Sequence, residues 1–253
     1  MNYIEQLHSE GYAIVEGVLG AEAVQHFIDL LASVPDGNAP RGGRRNLLAV
    51  PAMRELADST SLRMLVDSIL GPEAFPVRGI LFDKQEGANW KVPWHQDVTI
   101  AVKERVDCAG YGPWSVKEGV QHVQPPAAVL ERMLTIRLHL DNCPASNGAL
   151  RVIAGSHRLG RLDQNNIYPH VNSVLERVCE VRSGGALLMS PLTIHASSVA
   201  EKPQHRRVIH FDYANGNLDG GLDWFERELE KPAGSADNRL LIERQSQQLP
   251  HQL

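Results

Sequence analysis

Residues 133–140 read MLTIRLHL, and this run decides the fold class. Its length, its branched apolar residues and its alternating pattern are those of a β-strand. Working outward, VRGILFDK (77–84), LRVIAG (150–155), GGALLMSP (184–191) and RRVIHFDY (206–213) share the texture: short runs bounded by turn residues. Repeated from Pro76 onward, the pattern predicts an antiparallel sheet system. Asn147-Gly148, between HLDNC and ALRVI, is a tight-turn signal, and Gly184-Gly185 enters a strand run after a turn.

Upstream the texture is helical. In AEAVQHFIDLLAS (21–33), Val24, Phe27, Ile28 and Leu31 recur at helical spacing, directly after Gly20 closes the strand-like YAIVEGVL. DGNAPRGGRR (36–45) reads as a loop, and Ser61 is positioned to cap a second helix, LRMLVDSIL, that ends at Gly71. The chain therefore reads as one domain over 1–253, mainly β with flanking helices. A helical part covers about 1–72 and a barrel or sandwich core about 74–215. Residues 102–128 resemble neither helix nor strand and are expected to be a lid-like insertion, because so long a connection is unusual in a compact domain. The polar, turn-rich segment over about 220–253 is expected to be peripheral.

Composition narrows the function classes. At 253 residues and 43% hydrophobic, the chain can bury one sizeable core. Lys+Arg 25 against Asp+Glu 30 gives a net charge of −5, so no broad attraction for nucleic acid or an anionic membrane is expected. No run has the eighteen or so apolar residues of a membrane span, and MNYIEQLHSEGY lacks the order of a signal peptide, so the expected compartment is the cytoplasm. Cys108, Cys143 and Cys179 are an odd number without CxxC spacing, which argues against a disulfide framework and a thiolate zinc site. With no coiled-coil heptad, monomer and homodimer both stay open.

The chemistry concentrates in VPWHQDVTI (92–100). His95 and Asp97 are two apart, so in extended chain both side chains share a face and Gln96 points to the other. An imidazole and a carboxylate suit iron(II) or manganese(II). A second imidazole would complete the two-histidine, one-carboxylate triad, whose open positions oxygen chemistry requires. His195, in SPLTIHASSV, is the best partner, with small residues beside it. Eleven residues later Arg206 begins RRVIHFDY, so a hairpin would carry its guanidinium back toward the metal, and an arginine fork grips carboxylates.

GYAIVEGVL, ILFDK, WHQD, DNCPASNGALRVIAGSH and the late His195 with Arg206 together resemble the phytanoyl-CoA dioxygenase family of iron(II)/2-oxoglutarate oxygenases, over about Tyr12 to Tyr213. The resemblance implies a double-stranded β-helix, a cupin-like jelly-roll. It also implies iron(II) on His95, Asp97 and His195, 2-oxoglutarate as cosubstrate with Arg206 on its distal carboxylate, and O2 as oxidant. Lys84, Gln96, Trp114, Thr135 and Ser197 are near the positions that line the cosubstrate pocket in such enzymes. Ala154 departs from the family's more usual proline in that turn, which concerns loop stiffness. The carboxylate of Asp97, absent from related halogenases, favours hydroxylation of a small-molecule substrate with release of succinate and CO2.

Plainer readings compete. A lone HxD triplet is weak in a chain of eleven histidines. A hydrogen-bonded core role suits His139, and His210 shares a face with Arg206 and could line the same pocket. Arg207 competes with Arg206, since one residue of register flips a strand's faces. Trp114 and Tyr111 could meet substrate or only pin the insertion. Lys103, Arg105 and Lys117 could attract an anionic substrate, but Glu104, Asp107 and Glu118 between them favour a solvated charged loop. Rival functions are a metal-dependent hydrolase, since the same ligands hold zinc, and a non-catalytic jelly-roll that binds a small molecule. A thiol enzyme on Cys108 or Cys143 lacks any local motif.

Overall fold

The computed structural model describes residues 2–33, 43–201 and 204–226. Helix α1 (Tyr3–Glu10) opens the chain: the Asn2 side chain accepts the Glu5 amide while the Glu5 carboxylate accepts the Asn2 amide, and left-handed Gly11 ends the helix. Strand β1 (Tyr12–Val15) and helix α2 (Ala21–Ser33) follow, the latter burying Val24, Phe27 and Leu31 as its spacing predicts. Helix α3 (Pro51–Ala57), with proline in its first turn, escapes the sequence pattern, as does α1. Helix α4 (Thr60–Leu70) starts after Ser59, so Ser61 lies within its first turn and does not cap it. Most of the loop expected over 36–45 lies outside the described residues.

The remaining elements are β2 (Phe75–Asp83), β3 (Val92–His95), β4 (Ile100–Val102), β5 (Trp114–Lys117), β6 (Val120–Val123), α5 (Ala127–Leu130), β7 (Met133–His139), β8 (Leu150–Val152), α6 (Gln164–Val171), β9 (Arg177–Cys179), β10 (Ala186–Met189), β11 (His195–Ser197) and β12 (Arg207–Ala214). A five-stranded sheet, β1-β10-β7-β12-β2, and a four-stranded sheet, β3-β11-β8-β9, make the jelly-roll, and every pairing is antiparallel. Helices and strands occupy similar shares of the described chain.

Period-two alternation separates two environments in the larger sheet. Leu134, Ile136 and Leu138 of β7 and Ile209, Phe211 and Tyr213 of β12 pack against Phe27, Leu31, Met53, Leu56, Leu62 and Val66 of the helices. Each such burial contributes about 1.5–3 kcal/mol. Met133, Thr135, Arg137 and His139 of β7, with His210 and Asp212 of β12, take the opposite face and are also buried. Polar side chains thus fill the face of the sheet turned away from the helices.

The expected Asn147-Gly148 turn is a short 3₁₀ segment ending at left-handed Gly148, and it connects strands of different sheets. Two expectations change. The 102–128 insertion is not featureless: β4, β6 and β5 form a third sheet, held to the core by Val123, Val129, Leu130 and Trp224. For the same reason residues 220–226 are not peripheral. Trp224 pairs with Val102, the Phe225 amide donates to the Ala101 carbonyl, and Glu226 makes a buried ion pair with Arg54. Residues 227–253 lie outside the described part.

Candidate metal centre

His95 ends β3 and His195 begins β11, and the two are direct cross-strand partners. Their rings stand 4.2 Å apart, centre to centre. Asp97 lies just past the strand end, so a single strand does not supply both early ligands. The turn that carries Asp97 is fixed by its own amide, which donates to the Pro191 carbonyl at 2.9 Å. The outcome is still convergent: His95 Nε2 and His195 Nε2 each lie 3.6 Å from an Asp97 carboxylate oxygen, and the three ligand atoms fit within 4.8 Å of one another.

Both imidazoles are set in the same way. His95 Nδ1 donates to the Pro93 carbonyl at 2.8 Å and His195 Nδ1 to the Thr193 carbonyl at 2.9 Å. A carbonyl only accepts, so the proton sits on Nδ1 and each Nε2 presents its lone pair to the centre. Burial, then the neighbouring His95, brings the His195 pKa down to about 3, which keeps it neutral and ready to ligate. For His95 burial works downward, but the hydrogen bond and charge of Asp97 outweigh it and the net shift is upward. Burial pushes the Asp97 carboxyl up, and the two histidines more than reverse that, holding it well below its usual range. The His95 and Asp97 side chains keep 30% and 22% exposure against 3% for His195, so the triad opens to one side only.

Beyond His195 the interior turns cationic. Lys84 is fully buried, and its ammonium donates to Ser197 Oγ at 2.6 Å and the Ser198 carbonyl at 2.5 Å. Buried Arg206 donates through Nη1 to the Gly148 carbonyl, and its Nε has no partner. Arg137 packs over Phe82, donates to His210 Nδ1 at 3.0 Å, and likewise leaves Nε unpaired. None of these three forms an ion pair among the described residues. The Cys143 thiol beside Arg206 is pushed up by burial and stays protonated, and Asp83 is engaged by His205 and the Arg206 amide. Burial, then the charge of Arg206, lowers Lys84 to about 7 and Arg137 to about 10. Buried cations without counter-charge are costly, and unsatisfied guanidinium donors beside an open triad fit a bound dicarboxylate. His139 is buried there with both ring nitrogens unpartnered, so it is not the hydrogen-bonded core histidine that its strand pattern suggests.

Behind the triad a polar chain crosses the larger sheet. Arg137 donates to His210, whose Nε2 donates to Asp212 at 3.0 Å. Asp212 also accepts from Thr135 Oγ1 at 2.6 Å and from Arg78 at 2.5 Å. Burial raises the Asp212 carboxyl, but Arg78 and His210 overturn this and hold it far below its usual range. Thr135 is therefore spent on Asp212, and His210 is a bridge in this chain.

Of the other residues singled out from sequence, Ser197 and Lys84 meet each other beside His195. Gln96 does not join them: its amide donates to the carbonyls of Gly160 and Leu192 at 2.8 and 2.6 Å and accepts from the Leu162 amide at 2.8 Å. Its role is to pin two loops to the ligand turn. Trp114 lies in the third sheet under Arg105, whose guanidinium is 5.4 Å from the ring centre. Arg207 is taken by Asp141 through two charge-assisted bonds of 2.9 and 2.7 Å, leaving Arg206 as the inward arginine. Strands β11 and β12 belong to different sheets, so the expected hairpin between His195 and Arg206 is not formed. Sequence reasoning missed Arg137 and Arg78; Thr135, Arg137 and His139 at period two along one strand were the available signal.

No described helix is long and apolar enough to cross a membrane. No curated protein matches the chain at significant similarity. Among solved structures, AviO1 from Streptomyces viridochromogenes Tue57 aligns with a TM-score of 0.62 at 18% identity over 86% of this chain and 96% of its own. HygX from Streptomyces hygroscopicus, with nickel and 2-oxoglutarate bound, aligns at 0.60 and 18% over 87% and 92%. EctD from S. alaskensis, with 2-oxoglutarate and 5-hydroxyectoine, aligns at 0.63 and 18% over 84% and 74%. At these identities the likeness establishes the fold. The family model described as "Phytanoyl-CoA dioxygenase (PhyH)" matches residues 7–208, most of the chain and every residue of the triad. The chain belongs to the phytanoyl-CoA dioxygenase family of iron(II)- and 2-oxoglutarate-dependent oxygenases.

Proposed function

We propose that the protein hydroxylates a small organic molecule at an iron(II) held by His95, Asp97 and His195, with conversion of 2-oxoglutarate and O2 to succinate and CO2. The observation that carries the reading is the juxtaposition of an open triad with Arg206, Lys84 and Arg137, three buried cations that form no ion pair among the described residues. A zinc hydrolase has no use for such a cluster, whereas the five-carbon dianion would neutralise it. HygX and EctD, solved with 2-oxoglutarate, support the same assignment.

When bound, iron(II) and 2-oxoglutarate supply the oxidant that places oxygen in a C–H bond. The chain supplies geometry. His95 and His195 present neutral Nε2 atoms, and Asp97 contributes the charge that favours a divalent ion. Arg206 offers a planar fork and Lys84 a point charge to the distal carboxylate. Closure of the interior around His195 excludes bulk water from the cosubstrate side, while the exposed side at His95 and Asp97 leaves a route for substrate.

The test is anaerobic titration of the metal-free protein with iron(II) and 2-oxoglutarate, read by the weak visible charge-transfer band of the chelate. The band is expected in the wild type and absent in His195→Ala. Tight zinc binding with no band would overturn the assignment.

A further inference from the structure

We propose that the molecule oxidised carries an anionic group, a carboxylate or phosphate, and that Lys117 on β5 pairs with it at the open side of the triad. This rests on the oxygenase reading above. The insertion holds four basic side chains besides those of the core, and three are accounted for. Lys103 faces Asp223 at 3.7 Å, and Arg105 pairs with Asp107 at 3.0 Å while covering Trp114. His122 gives Nδ1 to the Val120 carbonyl at 3.0 Å, and burial, opposed by that bond, lowers its pKa to about 4, leaving it uncharged. Lys117 differs: half-buried, it makes no ion pair among the described residues, and its ammonium meets only the Thr99 hydroxyl at 3.3 Å.

Its position gives that vacancy a use. Thr99 is two residues past the ligand Asp97, and its carbonyl is held by Arg78 Nη1 at 2.8 Å. The charge of Asp97 reaches Lys117, whose pKa is nonetheless lowered, by burial first and then by Arg78 and Arg45. Those two cations are already matched, Arg78 with Asp212 at 2.5 Å and Arg45 with Glu118 at 3.5 Å. Lys117 is therefore left, bonded two residues past the partly exposed ligand Asp97, with donors free for an anion that arrives from solvent. It is also distinct from the cosubstrate cluster: Lys84, Arg137 and Arg206 act on one another, and none of them is among the charges that act on Lys117. A substrate anchored by its charge at Lys117 would present a neighbouring carbon to the metal while 2-oxoglutarate occupies the opposite, closed side.

The experiment uses full-length protein loaded with iron(II) and 2-oxoglutarate and a panel of small carboxylic acids and phosphate monoesters. Each is paired with its neutral amide or methyl ester, and succinate release is the readout. The acids or phosphates are expected to stimulate succinate release at least about tenfold more than their neutral partners. Lys117→Met should raise the KM for the anionic member about 10- to 100-fold and erase the preference, and Lys117→Arg should restore part of it. The charge-transfer band with 2-oxoglutarate should be the same in wild type and Lys117→Met. An equal response to charged and neutral members, a preference that survives Lys117→Met, or acids that act only by displacing 2-oxoglutarate would each overturn the proposal. So would a panel in which no anion stimulates turnover. If the wild type gives no band, the oxygenase reading fails and this inference falls with it, a result separable from loss of preference alone.

Discussion

Replacing Arg206 with methionine should have opposite consequences for cosubstrate binding and for the fold. The guanidinium is buried, one arm bound to the Gly148 carbonyl and Nε unpaired. In the bound state it would give two charge-assisted bonds to a carboxylate, each contributing about 1.5–3 kcal/mol. Their joint loss predicts a rise in the 2-oxoglutarate Kd of about 10²–10⁴-fold. In the ligand-free protein the balance is different. Methionine forfeits one hydrogen bond, about 1 kcal/mol, but removes a buried charge that repels Lys84 and Arg137, and such replacements are often neutral or stabilising. The melting temperature of the ligand-free variant should therefore stay within about 4 °C of wild type. Only the wild type should gain thermal stability from 2-oxoglutarate with manganese(II), measured by scanning calorimetry. A Kd within about threefold of wild type, or a ligand-free loss above about 10 °C, would show that Arg206 is a structural cation and refute the reasoning.

Lys84, lowered to about 7 by burial and Arg206, is penalised in the folded state while charged. Ligand-free stability should therefore rise with pH between about 7 and its unfolded value near 10.5. 2-Oxoglutarate favours the ammonium, so its affinity should fall as pH rises above about 7, and Lys84→Met should flatten that dependence in a calorimetric titration. Asp212, depressed by Arg78 and His210 against burial, contributes stability that is present above its unfolded pKa of about 4 and lost as pH falls below it. Asp212→Asn should lower stability at neutral pH by about 3–5 kcal/mol and weaken the acid dependence of urea unfolding. Gln96→Ala, which strands two carbonyls and an amide around the ligand turn, should cost about 2–4 kcal/mol and weaken iron(II) binding, with both effects read on one protein preparation.

The triad and the inward-facing arginine were legible because each has a local signature: an HxD triplet, a histidine followed by small residues, and an arginine at the head of a strand run. The strands themselves were legible from branched residues at period two. What stayed hidden depends on pairing between distant segments. The Thr135 and Asp212 partnership joins residues 77 apart in sequence, and neither residue alone reveals it. The resemblance set Gln96 near the cosubstrate, whereas strand alternation put it on the face away from the ligands, where its amide completes backbone bonds of loops that only the fold brings near. The third sheet went unread because its strands are three or four residues long and interrupted by glycine and proline.

The backbone carbonyls of Pro93 and Thr193 that hold the two imidazoles have an evolutionary consequence. Where a carboxylate side chain orients a ligand histidine, one point mutation can remove the orienting group and retune the metal. Here each histidine is oriented by the peptide two residues before it, which every substitution at those positions retains. The tautomer is inherited with the path of the chain, so the surrounding pocket is free to diversify toward new substrates without disturbing how the metal is presented.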